Sequence, residues 1–552
     1  MKLVVDLTRC QGYAQCAFLA PTAFTMLGDG EALLYDPDPG EELRERVLRA
    51  AAACPVQAIV LDRGPAENGG RWATAADARR GGMDAEFLRA GRIVVVGGSL
   101  AGARAAGALR YEGFTGSLTV IGDESAAPYD RPPLSKQVAQ GWVSAGHTGL
   151  PRRRAIDADW RLGVAATGLD LSAKQVRLAD GSTVGFDRLL IATGVRARPW
   201  PNPEEAALAG VLSLRTVEDA DRLQRLLAAR PKRVLVIGAG FTGSEIASVC
   251  RELDVPVTVA EAGPAPLVAA LGGTIGAVAA DMQREAGVDL RCDVMVTKLE
   301  GEGGQLRRAR LSDGSTLDVD VALAALGGIR NVEWLAGSGL AAGRWGVACD
   351  AGCRAFDVNG LVTDDVFVAG DVARSPQPLF GYQMLALEHW GNAVAQAEVA
   401  AHNMLSDQAH RWPHLAMPVF WSTQFGTEIK SVGVPNIADQ VVVTQGRVAD
   451  RRFVAAYGRR GRLVGAVTFN QSKWLDFYGR QIERGASFPP AYRTVDQPDE
   501  LQTVAAGFPT QPIPTQEATV VLTGHDPAER RATLLPEMTG TASASRIPAP
   551  RA

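Results

Sequence analysis

The chain has 552 residues, 46% hydrophobic and 21% charged, with a formal net charge of −4. It is too long for one core and has the composition of folded globular protein, and its charge excludes bulk attraction to nucleic acid or an anionic membrane. Met1-Lys-Leu-Val-Val-Asp6 lacks the apolar core of a signal peptide, and no apolar run approaches the ~18 residues of a membrane span, so a cytoplasmic protein is expected.

The first segment, residues 1–62, carries nine acidic and five basic side chains, so the acidity of the chain lies at its N-terminus. It contains Cys10-Gln-Gly-Tyr13-Ala-Gln-Cys16 and Cys54-Pro55, with an amphipathic helix predicted over Glu41 to Ala52 between them. Thiolates grouped this way, the last followed by proline, suit iron, whereas three buried structural cysteines in so short a piece are a poor alternative. These residues resemble the small bacterial single-cluster ferredoxins, in which a fourth thiolate, when present, falls where this chain has Tyr13. The resemblance implies a 3Fe-4S cluster on Cys10, Cys16 and Cys54, with a 4Fe-4S cluster and a non-cysteine fourth ligand as the alternative. Residues 63–90 turn to glycine, alanine, arginine and small polar residues and are read as a flexible linker.

Arg92-Ile-Val-Val-Val-Gly97-Gly98-Ser-Leu-Ala-Gly102 then gives a strand, a glycine turn and a helix, followed by a strand over Leu118 to Gly122 and a carboxylate at Glu124. Such a unit fits a dinucleotide: glycines admit the pyrophosphate, the helix N-terminus offers N–H groups, and the carboxylate accepts ribose hydroxyls. A β-rich stretch with a hairpin at Asp180-Gly181 ends in Ala192-Thr193-Gly194. The pattern then repeats. Gly238-Ala-Gly240-Phe-Thr-Gly243 matches Gly97 to Gly102, Glu261 matches Glu124, and Ser312-Asp-Gly-Ser-Thr-Leu with Gly327 matches Ala179-Asp-Gly-Ser-Thr-Val with Gly194. Near-constant offsets of 141, 137 and 133 residues imply two similar dinucleotide-binding units. The first unit has Ser99 where a glycine is usual.

Gly370-Asp371 ends a further buried-type strand, and Glu388-His-Trp390 opens a helix. Met417 to Phe488 reads as alternating strands, including Phe420-Trp421-Ser-Thr-Gln424, and then a helix. In this order, with Pro128-Tyr-Asp-Arg131-Pro-Pro-Leu-Ser-Lys136, these motifs resemble the FAD-dependent, putidaredoxin reductase-like ferredoxin reductases that serve bacterial oxygenases. The resemblance implies an α/β protein with two Rossmann-like domains and an α+β C-terminal domain, preceded by a small α+β ferredoxin domain. Its boundaries fall at 91–211 and 332–416 for the FAD domain, 212–331 for the NAD domain and 417–493 for the third domain, while residues 494–552, rich in Pro, Thr, Ala and Ser, are read from composition as a disordered tail. It places Gly97, Gly98, Gly102, Glu124, Arg131, Lys136, Thr193, Gly194, Gly370 and Asp371 at FAD, and Gly238, Gly240, Gly243 and Glu261 at NAD. Trp390 would lie beside both rings, and Lys136 and Glu245 would pair near flavin N5.

Flavin accepts two electrons from a nicotinamide and releases them singly to an iron-sulfur cluster. No cysteine lies between Gly97 and Lys136, which disfavours disulfide chemistry, and Cys250, Cys292, Cys349 and Cys353 are read as structural. Glu261, with no arginine after it, favours NADH over NADPH. The leading expectation is an NADH-dependent reductase that contacts its own fused ferredoxin and feeds an external cytochrome P-450. A Rieske-type oxygenase or another acceptor, and a non-catalytic NADH-sensing flavoprotein, are the alternatives.

Overall fold

The computed structural model describes residues 83–150, 156–491, 496–498 and 500–508. It also describes shorter pieces at 3–5, 20, 22–27, 32–36, 39–44, 46–47, 59–61, 518–523 and 531–536. The chain divides into two units, Met1–Met83 with Gly149–Ala155, and Asp84–Thr148 with Ile156–Ala552.

In the smaller unit Leu3–Val5 pairs antiparallel with Ile59–Leu61, and Phe24–Leu27 pairs antiparallel with Ala32–Tyr35. Leu3, Val5, Phe24, Val47 and Ile59 are buried. Cys10, Cys16 and Cys54 lie outside the described residues, and of the helix expected over Glu41 to Ala52 the described part is a 3-10 turn, Glu41–Leu43, followed by α-helical Arg44, Arg46 and Val47.

The larger unit holds both expected dinucleotide folds. The first sheet runs Arg354–Phe356, Val362–Val368, Arg188–Ile191, Arg92–Val96, Ser117–Gly122, Asp159–Leu162, and its last five strands are parallel. The second runs Val211–Leu212, Val321–Ala324, Val234–Ile237, Val257–Ala260, Asp289–Arg291, all parallel. Four strands follow the same order in each sheet, as the sequence repeat requires. Ile93 to Val96 and Val234 to Ile237 are buried at every position, because both faces of each parallel sheet are covered: Val94 and Val96 share a core with the antiparallel strand Gln175–Leu178, and Leu235 and Ile237 share one with Gln305–Leu311, so no strand has a polar side to present. The repeat extends to the three-stranded meanders. Ser182 donates to Asp180 through its N–H and hydroxyl, and Ser315 does the same to Asp313.

The third domain is an antiparallel sheet in the order Val419–Gln424, Thr427–Gly433, Arg462–Phe469, Arg452–Arg459, Gln440–Arg447, Val504–Ala505. Its core includes Leu271, Ile275 and Met282 from the helix Val268–Glu285, which follows the second glycine unit, and helix Leu475–Glu483 closes it. No helix among the described residues is long and apolar enough to cross a membrane.

Two expectations are corrected. The stretch read as linker ends in a helix, Ala85–Ala90, because Asp84 caps it by accepting the Glu86 and Phe87 N–H groups. Phe87 then packs at 5.8 Å from Phe114, beneath the Arg188 guanidinium. The region beyond Thr494, expected to lack packed structure, adds an edge strand through Val504 and Ala505. Ala506 is fully buried there, and Gly507 O accepts the Gly273 N–H at 2.8 Å. Small side chains gave no apolar period, but they fit the space where Gly272, at φ +74°, kinks the helix. An antiparallel pair, Ala518–Thr523 with Arg531–Pro536, lies further on.

Buried Tyr457 of the third domain donates its hydroxyl to Leu271 O at 2.7 Å beside this kink. Tyr457→Phe is expected to cost about 1–3 kcal/mol by leaving that carbonyl unpaired, as read from denaturant unfolding.

Candidate active site

In the first glycine turn, Gly97 has φ +127° and a Cβ on Gly102 would lie 1.8 Å from Gly97 O. In the second, Gly238 has φ +98° and a Cβ on Gly243 would lie 2.0 Å from Gly238 O. The outer glycines of both turns are therefore demanded by the protein's own backbone. The middle position is different. A Cβ on Gly240 would meet nothing within 4 Å, so space is kept there at the N-terminus of helix Phe241–Glu252, where a phosphate fits the N–H groups. Its counterpart Ser99 has φ −97°, stands at the N-cap position of helix Leu100–Tyr111 without a side-chain capping bond, and accepts from Arg131 Nη2 at 3.3 Å.

Two adjoining cavities of about 330 and 360 Å³ run along the first turn, within the range of small-ligand sites. They share Ser99, Tyr129, Arg131, Thr193 and Arg215. Gly97, Gly98 and Glu124 line the second cavity, while Lys136, Gly194, Glu245, Gly370, Asp371 and Trp390 line the first. Gly102 lies beneath the turn, and Gly238, Gly240, Gly243 and Glu261 form the separate second turn. Glu261 accepts the Ala239 N–H at 2.6 Å and the Gly263 N–H at 2.7 Å, so its carboxylate lies against that turn. Glu124 instead receives the Tyr129 hydroxyl and the Arg131 guanidinium.

Lys136 Nζ lies 2.8 Å from Glu245 Oε2, and both side chains are largely buried. The same carboxylate accepts from the Ser135 hydroxyl and, at 2.6 Å, from Ser422 Oγ of the third domain. Asp371 pairs with Arg215 at 3.0 Å, and Gly370 N–H donates to Gln396 Oε1. Thr193 Oγ1 donates to Asn331 O at 2.7 Å. The Trp390 indole donates to Asp130 at 2.8 Å and meets Trp421 edge-on at 6.2 Å. Phe420 packs between Phe241 and His389, so the Phe420–Trp421 pair forms cavity wall. Burial lowers the His389 pKa to about 4, which keeps its ring neutral, and its Nδ1 has no hydrogen-bond partner among the described residues.

Sequence reasoning missed Arg215, Ser135, Asp130 as a ligand of Trp390, and Ser422. Arg215 and Ser422 are set in place by partners 156 and 177 residues away, which no local spacing reveals. Cys250, Cys349 and Cys353 are buried, and desolvation raises their thiol pKa values, that of Cys250 to about 12. Cys292 is partly buried, and none of the four lines either cavity. No group of three or more metal-ligating side chains occurs among the described residues. An open helix N-terminus, a cavity along the first glycine turn and an ion pair at its end suit an extended dinucleotide. The orphaned His389 nitrogen at the cavity wall fits the same assignment.

Three family profiles match in succession: a 4Fe-4S single cluster domain over residues 3–61, a pyridine nucleotide-disulphide oxidoreductase over 91–397, and a reductase C-terminal domain over 419–505. A probable ferredoxin reductase, CtmF, of Castellaniella defragrans is 33% identical over 418 residues, covering 75% of this chain and 98% of the relative. The ferredoxin–NAD(+) reductase component of the biphenyl dioxygenase system of Paraburkholderia xenovorans is 34% identical, covering 64% of this chain and 83% of the relative. Rhodocoxin reductase of Rhodococcus erythropolis is 32% identical, covering 69% and 87%. Among solved structures, the covalent putidaredoxin reductase–putidaredoxin complex superposes with a TM-score of 0.67 at 28% identity, over 72% of this chain and 94% of that one.

The glycine geometry separates two substitutions. Gly243→Ala forces a Cβ onto a backbone oxygen and is expected to destabilise by about 1–3 kcal/mol, whereas Gly240→Ala has open space and stays within about 1 kcal/mol of the unsubstituted protein. Thermal unfolding of the two variants checks the contrast.

Proposed function

The chain belongs to the pyridine nucleotide-disulphide oxidoreductase family and, within it, to the ferredoxin reductases of oxygenase systems. From that premise we propose that it passes electrons from NADH through FAD to its own iron-sulfur domain and on to an external monooxygenase. The observation that carries this reading is the joined cavity along the first glycine turn, ending at Lys136, Glu245 and Trp390. Bound there, FAD supplies the conversion of a two-electron donor into single electrons.

The chain's own residues do the rest. Gly97, Gly98, Gly102 and the N-terminus of helix Leu100–Tyr111 receive the FAD pyrophosphate, Glu124 its ribose, and Thr193, Gly194, Gly370 and Asp371 its inner portion. Arg131 and Arg215 line both cavities and bring positive charge to that anion. Gly238, Gly240 and Gly243 receive NADH, and Glu261 presents a carboxylate that accepts ribose hydroxyls and repels a 2′-phosphate. Lys136, held by Glu245, places a cation beside the flavin ring. Trp390, Phe420 and Trp421 exclude water from the same place.

Cys10, Cys16 and Cys54 are the ligands proposed for the cluster, with three thiolates and Tyr13 at the fourth place supporting the 3Fe-4S form. The match to CtmF covers 98% of that relative and 75% of this chain, and the 4Fe-4S profile at residues 3–61 stands apart from the reductase profiles at 91–397 and 419–505, which supports a ferredoxin added to a reductase. Tethering supplies the domain at a local concentration near ~1 mM. A three-thiolate ferredoxin supports a cytochrome P-450 as acceptor. A Rieske-type oxygenase is the second reading, favoured by relatives named for dioxygenase systems.

NADH-dependent cytochrome c reduction is expected to be lost in Cys10→Ala while NADH still bleaches the flavin; bleaching without any cytochrome reduction in the unsubstituted chain would sink the relay. kcat/KM is expected to favour NADH over NADPH by about tenfold or more. Low-temperature EPR of the isolated protein is expected to show an oxidised 3Fe-4S signal.

A further inference from the structure

Asp130 is the third residue of Pro128-Tyr-Asp-Arg131, and its backbone N–H donates to Thr148 O at 2.7 Å. The residue is thus fixed whatever its side chain does. That side chain reaches a helix far along the chain, where its Oδ1 accepts the Trp390 Nε1–H at 2.8 Å across 260 residues of sequence. The Arg131 N–H also bonds the carboxylate, and Lys136 places positive charge nearby; burial works against these and raises the Asp130 pKa.

Trp390 opens helix Trp390–Leu405, so its backbone is set, but its indole projects into the cavity shared with Lys136 and Asp371. An indole has one donor, and bonding it fixes the turn of the ring about its side-chain torsions. The aromatic neighbour Trp421 touches it edge-on at 64° and is itself 38% exposed, so it gives little restraint. A charge-assisted bond from a rigid loop gives much more.

We propose that Asp130 is a positioning residue for electron transfer, its carboxylate holding the Trp390 indole in the plane that closes the flavin side of the cavity and sets the approach of the nicotinamide. The inference rests on the reading above that this cavity takes FAD and NADH. Asp130, which lines the same cavity, acts through its bond to Trp390.

The test uses the full-length holoprotein with isotope-labelled tryptophan indoles, the Trp390 N–H resonance being assigned with Trp390→Phe. Asp130→Ala is expected to move that resonance and to weaken the long-wavelength absorbance of the NADH-reduced protein. It is also expected to lower kcat for cytochrome c reduction about tenfold while KM for NADH changes less than about twofold. Asp130→Asn, whose side-chain oxygen accepts the same bond, restores all three. Asp130→Ala protein with full flavin content and unchanged resonance or unchanged kcat overturns the proposal. Should Asp130→Ala fail to fold, Trp390→Phe decides, since wild-type absorbance and kcat in that variant overturn it equally. Failure of the underlying reading is separate, because NADH then fails to reduce the unsubstituted protein at all.

Discussion

The carboxylate of Glu245 is where three parts of the fold meet. Its side chain is 7% exposed, and a carboxylate so placed costs several kcal/mol unless charge and hydrogen bonds compensate it. Those partners come from elsewhere in the chain: Lys136 and Ser135 from the loop after the first glycine unit, and Ser422 from the antiparallel domain. Glu245 itself stands on the first helix of the second unit. One turn along that helix, Ser248 accepts the Phe425 N–H at 2.7 Å. Strand Val419–Gln424 is therefore tied to the helix at two successive turns, which fixes the aromatic wall of Phe420 and Trp421 relative to Lys136. Moving any one of the three parts would strand a buried charge, so the site's geometry and the domain arrangement are one constraint.

Within that frame the two glycine units have diverged in a way that suits different tenants. In the first, the carboxylate is enclosed by side chains: Glu124 is held by Tyr129 and Arg131, and Arg131 also reaches Ser99 and Arg215 O. In the second, Glu261 bonds backbone N–H groups of its own turn, and the place beside Gly240 is open. Few side chains need to rearrange for a ligand to come and go there, which fits a cosubstrate that is exchanged at every turnover.

What could be read from sequence, and what could not, follows from the range of the forces involved. Glycine turns, strand-end carboxylates and the repeat depend on backbone sterics and short spacings, so Gly97, Gly238, Glu124, Glu261 and the two Asp-Gly-Ser turns were legible. The pairing of Lys136 with Glu245 was legible through the resemblance alone, since 109 residues separate them. The bonds of Asp130 to Trp390 and of Arg215 to Asp371 were not, because only the folded chain brings those residues together. Composition misled twice. Ala506 and Gly507 look like tail, yet small residues are what the kink at Gly272 can accept, and the helix Ala85–Ala90 was hidden by the glycine and arginine before it.

The chain shares its fold with a NAD-dependent persulfide reductase of A. fulgidus, whose structure matches at 22% identity with a TM-score of 0.62. The difference lies in what faces the flavin. A dithiol route needs a reactive thiolate beside the ring, and no cysteine lies between Gly97 and Lys136 or lines the first cavity. The buried cysteines of the described chain cannot substitute, because desolvation keeps Cys250, Cys349 and Cys353 as thiols and they line neither cavity. The first cavity is walled by Trp390 and by Trp421, which is partly exposed. The 4Fe-4S single cluster domain matched over residues 3–61 adds to this fold a module of the kind that takes one electron at a time, where flavin is the cofactor that joins two-electron to one-electron chemistry.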